Sequence, residues 1–170
     1  MMTARLILAG FLLCLAACGF EPLYATGTGS ANVPTALRTV SVAPLSDRSG
    51  QLVQIALEQR LRNQDVPPDY QLDIDMQQST QFFGIRGDAA PTRQRVRMVA
   101  SYRLINLQTE TEVFSDDALA DSTIDIVDSE YATFIAEEAA VERNAQVVAD
   151  RILSRLALYF RALAQAKQTP

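Results

Sequence analysis

Residues 129–166 read SEYATFIAEEAAVERNAQVVADRILSRLALYFRALAQA, the longest amphipathic pattern in the chain. Apolar residues recur every three or four positions, which is the spacing of one helix face. An aspartate and a serine stand at its start, and either can accept backbone N–H groups there. The pattern predicts one long helix, whose apolar face begins at Tyr131, Phe134 and Ile135. The face continues through Val141, Ala145, Val148, Ile152, Leu156, Tyr159 and Leu163.

Upstream of this helix, the hydrophobic pattern predicts strands and one further helix. The spacing of Val53, Leu57 and Leu61, widened by Leu52 and Ile55, favours a helix that ends before a Pro-Pro pair. Its expected bounds are about residues 50 and 63. Strands are predicted over residues 39–45, 70–78, 94–107 and about 112–120.

The order of these elements is β-α-β-β-β-α. In the second strand, Leu72, Ile74 and Met76 share one face and Asp73 and Asp75 the other, so one face of the sheet is apolar. Two amphipathic helices can cover that face. The sequence therefore predicts an α+β fold, a two-layer sandwich whose four-stranded, mostly antiparallel sheet is covered on one face by two helices. The domain is expected at residues 39–166, followed by a polar tail at 167–170.

The N-terminus has the features of a lipoprotein signal peptide over residues 1–17. Arg5 precedes a short apolar run, and Leu15-Ala16-Ala17-Cys18 has the branched and small residues of a lipobox. Cys18 is then the lipidated N-terminus, followed by an extended tether at 18–38. The alternatives are an ordinary secretory signal with a chance cysteine, or a membrane anchor that is not cleaved.

Composition argues against an enzyme. The chain has no histidine, so it lacks the commonest general base and metal ligand. Cys14 leaves with the signal and Cys18 is consumed by lipid, so no thiol remains. The aspartates at 116–128 lack the spacing of a calcium loop. We therefore expect no catalytic residue, no metal site and no cofactor.

The net charge of −5 hides a basic segment. Residues 76–109 carry five arginines against one aspartate, and Arg95, Arg97 and Arg103 share one strand face by parity. Arginine offers planar donors that suit phosphate, which makes an anion site one reading. The other reading is cross-strand pairing with the two aspartates of residues 70–78. The candidate anion-binding residues are Arg86, Arg93, Arg95 and Arg97.

A second anomaly lies in residues 81–93, where two glycines and a proline predict a long hairpin connection. Phe82, Phe83 and Ile85 are large and apolar within this connection. Either they finish the second strand and pack under the helices, or they lie at the hairpin tip and contact a partner or lipid.

Two segments resemble a known family. The start of the mature chain, Cys18-Gly19-Phe20-Glu21-Pro22-Leu23-Tyr24, and the closing helix, with Ser129-Glu130-Tyr131-Ala132 and Arg155-Leu156-Ala157-Leu158-Tyr159-Phe160, are similar to LptE lipoproteins of the α-proteobacterial branch. The resemblance implies a plug in the lumen of the LptD β-barrel that assists barrel assembly and contacts lipopolysaccharide. Cys18 is the one functional residue that this resemblance implies.

The leading expectation is a non-enzymatic subunit, held by acyl chains at the periplasmic side of the outer membrane. Its expected partners are an LptD-type barrel, lipopolysaccharide and the membrane, and no nucleic acid. One alternative is an auxiliary lipoprotein of another envelope lipid-transport or secretion complex. Another is a lipoprotein hydrolase that uses carboxylates.

Overall fold

The computed structural model describes residues 32–61, 66–85, 87 and 91–167. Within these residues, four strands form one sheet and three helices pack with it. In chain order these elements are α1 (Asn32–Arg38), β1 (Val40–Val42), α2 (Arg48–Leu61), β2 (Tyr70–Ile85), β3 (Pro91–Asn106), β4 (Thr111–Asp125) and α3 (Glu130–Ala166).

The sheet is mixed, with strand order β1-β2-β3-β4. The short β1 pairs in parallel with the start of β2, and the chain between them crosses over through α2. The β2–β3 and β3–β4 pairs are antiparallel along most of their length. This arrangement confirms the predicted α+β class and the mostly antiparallel sheet.

The strands extend beyond their predicted ends. Residues 81–85 and 91–93 belong to the β2–β3 ladder, where Phe82 pairs with Gln94 and Phe83 with Arg93. The prediction of a connection over residues 81–93 is therefore wrong. Gly84 has a φ of 72°, yet the pairing resumes in the same register at Ile85 and Pro91, so this glycine does not end the strand. Likewise β4 continues to Asp125 rather than to about Ala120.

A third helix, α1, lies in the segment predicted as an extended tether. Pro34 stands in its first turn, where the missing N–H removes no helical hydrogen bond. Leu37 is buried at 8% exposure and belongs to the core. The prediction of an extended tether at 18–38 is therefore wrong for the residues that form α1. The rest of that segment, residues 18–31, lies outside the described part of the chain.

The core lies between one face of the sheet and the helices. Even-numbered residues of β3 from Val96 to Leu104 are buried, as is the face of α3 around Val148, Ile152 and Leu156. The predicted face of α3 is thus confirmed from Val141 onward. Its predicted beginning is wrong, because the large side chains of the first two turns are exposed. Those side chains are Tyr131, Phe134 and Ile135.

The helix α2 packs beside α3 and runs in the same direction. Arg48 pairs with Glu138 near its start, and Arg60 pairs with Asp150 near its end. Its buried side chains include Val53, Leu57 and Leu61, but Ile55 is half exposed and does not widen the face. Within the described residues, no helix has the length and apolarity needed to cross a bilayer.

Candidate functional site

The face of the sheet away from the helices, here called the open face, carries the arginine row. The odd-numbered residues of β3 point there because their even-numbered neighbours are buried under the helices. Arg93, Arg95, Arg97 and Arg103 are half-buried or exposed on this face. The first three lie towards the end where β2 and β3 join, which we call the hairpin end.

Three of these arginines have carboxylate partners on neighbouring strands. The Nε atom of Arg93 lies 3.1 Å from Oδ1 of Asp125, and that of Arg95 lies 3.8 Å from Oδ2 of Asp121. The Nε atom of Arg103 lies 3.5 Å from Oδ2 of Asp73. The cross-strand reading therefore holds for these three, although two of the partners lie on β4 rather than on β2. Exposed pairs of this kind contribute at most about 1 kcal/mol each, so an anion with several charges can compete for the guanidinium groups.

Arg97 differs from its neighbours. No carboxylate pairs with it within the described ranges. Its Nε, like that of Arg95, is shielded from solvent and finds no hydrogen-bond acceptor among the described residues. Its register partners are Ser79 on β2 and Asp121 on β4, and the latter carboxylate is engaged by Arg95. Arg97 is thus the arginine of the row that an anion can approach without displacing a carboxylate of the described residues.

Apolar side chains flank the cations at the hairpin end. The guanidinium of Arg95 lies over the ring of Phe83, 5.4 Å from its centroid. Phe82 points to the opposite face but is 62% exposed, because no helix covers that part of β2. Together with Gln81, these residues line a hollow of about 640 Å³. The phenylalanines therefore finish β2, as one reading held, but they do not pack under the helices, and Phe82 remains available for contact.

Two predicted site residues cannot be placed. Cys18 and Arg86 lie outside the described residues, as does the side chain of Ile85.

The sequence did not predict an exposed apolar patch at the start of α3. Val127, Tyr131, Phe134 and Ile135 are all between 46% and 75% exposed. The backbone N–H of Ile126 donates to the Thr92 carbonyl at 2.9 Å, which places this segment at the hairpin end as well. The helical spacing of these residues indicates a face but cannot show whether the sheet reaches far enough to cover it.

The other half of the open face is acidic. A concavity of about 800 Å³ is lined by Asp73, Asp75, Glu112 and Asp117, with Arg103 among them. Across the described part of the chain, no three potential metal ligands lie together, and this hollow is no exception.

Two tyrosines that pack in or against the core have altered acidity. Burial raises the pKa of Tyr102 far above neutrality, with a smaller contribution from the negative charge of Asp116. Burial also raises the pKa of Tyr159. Neither phenol can therefore exchange a proton readily at neutral pH, and both serve as packing groups. The Tyr159 ring stacks on Phe114 and meets Phe160 edge-on, and the Tyr102 ring lies tilted against Phe114.

Comparison with known proteins identifies the family. The model of the LptE lipopolysaccharide-assembly family matches residues 37–156, which include all four strands and most of α3. The chain belongs to the LptE family. It is accordingly a non-enzymatic lipopolysaccharide-assembly lipoprotein, and membership implies association with LptD and lipopolysaccharide. No curated protein matches the sequence.

Solved structures share the fold. A lipoprotein of Caulobacter crescentus is 24% identical, with a TM-score of 0.63 over 76% of this chain and 96% of that one. Rare lipoprotein B of Shewanella oneidensis is 16% identical, with a TM-score of 0.57 over 73% and 96% of the two chains. Lipoprotein B of Nitrosomonas europaea is 12% identical, with a TM-score of 0.54 over 71% and 81%. At these identities the likeness shows the fold alone.

Proposed function

We propose that this LptE-family chain is an outer-membrane lipoprotein that plugs an LptD-type β-barrel, helps the barrel to assemble, and assists delivery of lipopolysaccharide to the outer leaflet. The observation that carries the proposal is the family match over residues 37–156, which spans the sheet and its helical cover. Acyl chains on Cys18 would hold the domain at the periplasmic side of the membrane.

The geometry of the hairpin end supports contact with a phosphorylated lipid. Arg93, Arg95 and Arg97 offer guanidinium donors on the open face, and Arg97 has no carboxylate to displace within the described ranges. Phe82 and the patch at the start of α3 offer apolar surface at the same end. Cationic and apolar groups side by side suit a molecule with phosphates and acyl chains. Arg86 and Ile85 belong to the proposed site on the basis of the sequence alone.

Copurification of the native lipidated chain from detergent-extracted membranes tests the barrel partnership. The expected result is recovery of a large β-barrel protein, and a Cys18→Ala variant should reach the outer membrane poorly and recover less of it. Recovery of a different lipid-transport or secretion complex, without a barrel, would instead support an auxiliary lipoprotein of that complex.

Mass spectrometry of the mature N-terminus tests the anchor separately. The expected mass shows acyl chains on residue 18, with residues 1–17 removed. An unmodified residue 18 would remove the membrane location from the proposal, whatever the copurification shows.

A further inference from the structure

The outer edge of β4 is a long strand edge with exposed hydrogen-bonding groups. Within the described residues, β4 pairs with β3 alone. The N–H of Ile126 donates into the ladder to Thr92, so backbone groups of even-numbered residues face β3 and those of odd-numbered residues face outwards. In agreement, the outward carbonyl of Leu119 accepts a hydrogen bond from the Arg151 guanidinium.

The edge of β4 is protected by acidic side chains but by few of the other usual devices. Proteins protect such edges with charged side chains, lysine above all, and with proline, bulges or short strands. Residues 111–125 contain neither lysine nor proline, and the one irregularity in the β3–β4 register lies opposite Leu104 and Ile105, near the start of β4. The strand is therefore regular from Phe114 to Asp125, and Arg151 occupies a single carbonyl along it.

The charges on this edge discriminate between partners. Asp117, Asp121 and Asp125 project from the outward-facing positions onto the open face. Antiparallel pairing with β4 of a second copy would set these carboxylates against each other, which is destabilising. A strand with lysine or arginine at alternate positions would place cations there instead. Asp117 is the most available of the three, because the other two also pair with arginines of β3.

The helix side of the same edge is partly apolar. A groove of about 500 Å³ runs between β4 and α3 and is lined by Leu119, Val147, Arg151 and Ser154 among others. Val147 is 40% exposed there, and Leu158 further along α3 is 49% exposed. In an added strand, the side chains between the basic ones would point into this groove, where aliphatic groups could bury part of Val147.

From these features we infer that the β4 edge between Asp117 and Asp125 accepts an extended segment of a partner protein as a fifth strand. The segment alternates basic residues, facing the open face, with aliphatic residues facing α3. Its backbone N–H replaces Arg151 at the Leu119 carbonyl, so Arg151 competes with the incoming strand. This interaction goes beyond the proposed lipopolysaccharide contacts and uses a different surface.

Fluorescence anisotropy with the full mature protein in a nonionic detergent tests the inference. The probe is a short labelled peptide that alternates lysine and valine, and the comparison peptide alternates glutamate and valine. The lysine peptide should bind and the glutamate peptide should not.

Asp117→Lys should weaken binding of the lysine peptide about fivefold, because it turns an attractive cross-strand pair into a repulsive one. Glu142→Lys, an equal charge change on an exposed position of α3, should leave binding unchanged. Arg151→Ala should tighten it.

Amide hydrogen exchange on the same complex locates the peptide. Strand addition should slow exchange of the outward N–H groups of Leu119, Asp121 and Thr123. Equal binding of the two peptides, an Asp117→Lys affinity equal to that of Glu142→Lys, or unchanged exchange at these three amides would each overturn the inference.

Discussion

The start of α2 shows how single residues set a helix boundary. The Asp47 side chain accepts a hydrogen bond from the Gly50 N–H at 3.1 Å and another from the Ser49 hydroxyl. This is capping chemistry, in which a side-chain oxygen satisfies a backbone N–H at the start of a helix. A Cβ on Gly50 would lie 2.6 Å from Oδ1 of Asp47 and 2.9 Å from the Leu45 Cβ, so the turn needs glycine for close approach.

Replacement of Asp47 by alanine should lower the free energy of unfolding by about 1 kcal/mol at neutral pH. The Ser49 hydrogen bond is the main cause that holds the pKa of this carboxyl below its ordinary value of 3.8. A depressed pKa stabilises the fold above the unfolded-state pKa, and this contribution is lost as the pH falls through the folded-state pKa. The stability difference between wild type and Asp47→Ala, from urea titrations, should therefore shrink below pH 3.8. A difference that does not change with pH would contradict the role of the ionised carboxylate.

Asn144 is the polar residue that fixes the position of α3 on the sheet. It is 2% exposed, donates to the Val96 carbonyl at 2.9 Å and accepts from the Ser122 hydroxyl at 2.7 Å. Both hydrogen bonds cross between layers, so a displacement of α3 by one turn would leave buried polar groups without partners.

Asn144→Leu keeps a similar volume but removes both hydrogen bonds. We expect a loss of about 1–2 kcal/mol in chemical denaturation, because the Ser122 hydroxyl loses its acceptor in a partly buried site. Glu142→Leu, two positions away and exposed, is the matched control and should change stability by less than about 0.5 kcal/mol. Equal effects of the two substitutions would mean that the Asn144 contacts contribute little.

At the scale of elements, α3 is divided into a packed part and an exposed beginning. From Val141 onward its apolar face is buried against the sheet and α2, while Tyr131 and Phe134 are exposed although they continue the same spacing. The reason is the extent of the sheet and of α2 beneath this helix. A helix face is buried only where a strand or helix lies beneath it, and sequence periodicity identifies the face but not how much of it is covered.

Leu156→Asp should destabilise the domain by about 3–5 kcal/mol, because it removes a fully buried side chain and places a carboxylate in the core. Leu158→Asp is the control on the same helix, at a position that is half exposed. Thermal unfolding followed by circular dichroism should show a large loss for the first variant and a small one for the second. Similar melting temperatures for both would contradict the assigned face.

At the scale of the whole molecule, the open face is electrically polarised. The hairpin end carries Arg93, Arg95 and Arg97 against two paired aspartates, whereas the opposite half carries several carboxylates against the single Arg103. The overall acidity of the chain therefore says little about which ligands bind, because the face presents opposite charges at its two ends.

The double variant Arg95→Glu with Arg97→Glu should weaken lipopolysaccharide binding at least about tenfold, since two charge-assisted contacts to phosphate become repulsive. Binding of purified lipopolysaccharide to the full mature protein, with circular dichroism as a check on folding, provides the measurement. Arg60→Glu with Arg103→Glu makes the same charge change away from the hairpin end and should retain affinity. Unchanged affinity in a folded Arg95/Arg97 variant would refute the phosphate role.

The sequence by itself determined the class of fold, the order of the main elements and the inward and outward faces of β2, β3 and most of α3. These features follow from hydrophobic periods of two and 3.6 residues, which are local properties. The sequence also placed Arg95, Arg97 and Arg103 on one face, since parity along a strand needs no knowledge of its neighbours.

Only the tertiary structure decided which arginines have partners, because ion pairs depend on register between strands distant in sequence. Arg95 pairs with Asp121, whereas Arg97 pairs with no carboxylate of the described residues. In the sequence the two arginines are equivalent, because both occupy odd-numbered positions of the same strand. The continuation of β2 through Gly84, the packing of α1 and the open edge of β4 were likewise decided by contacts between elements. A local pattern specifies which way a side chain points, and only packing specifies what it meets.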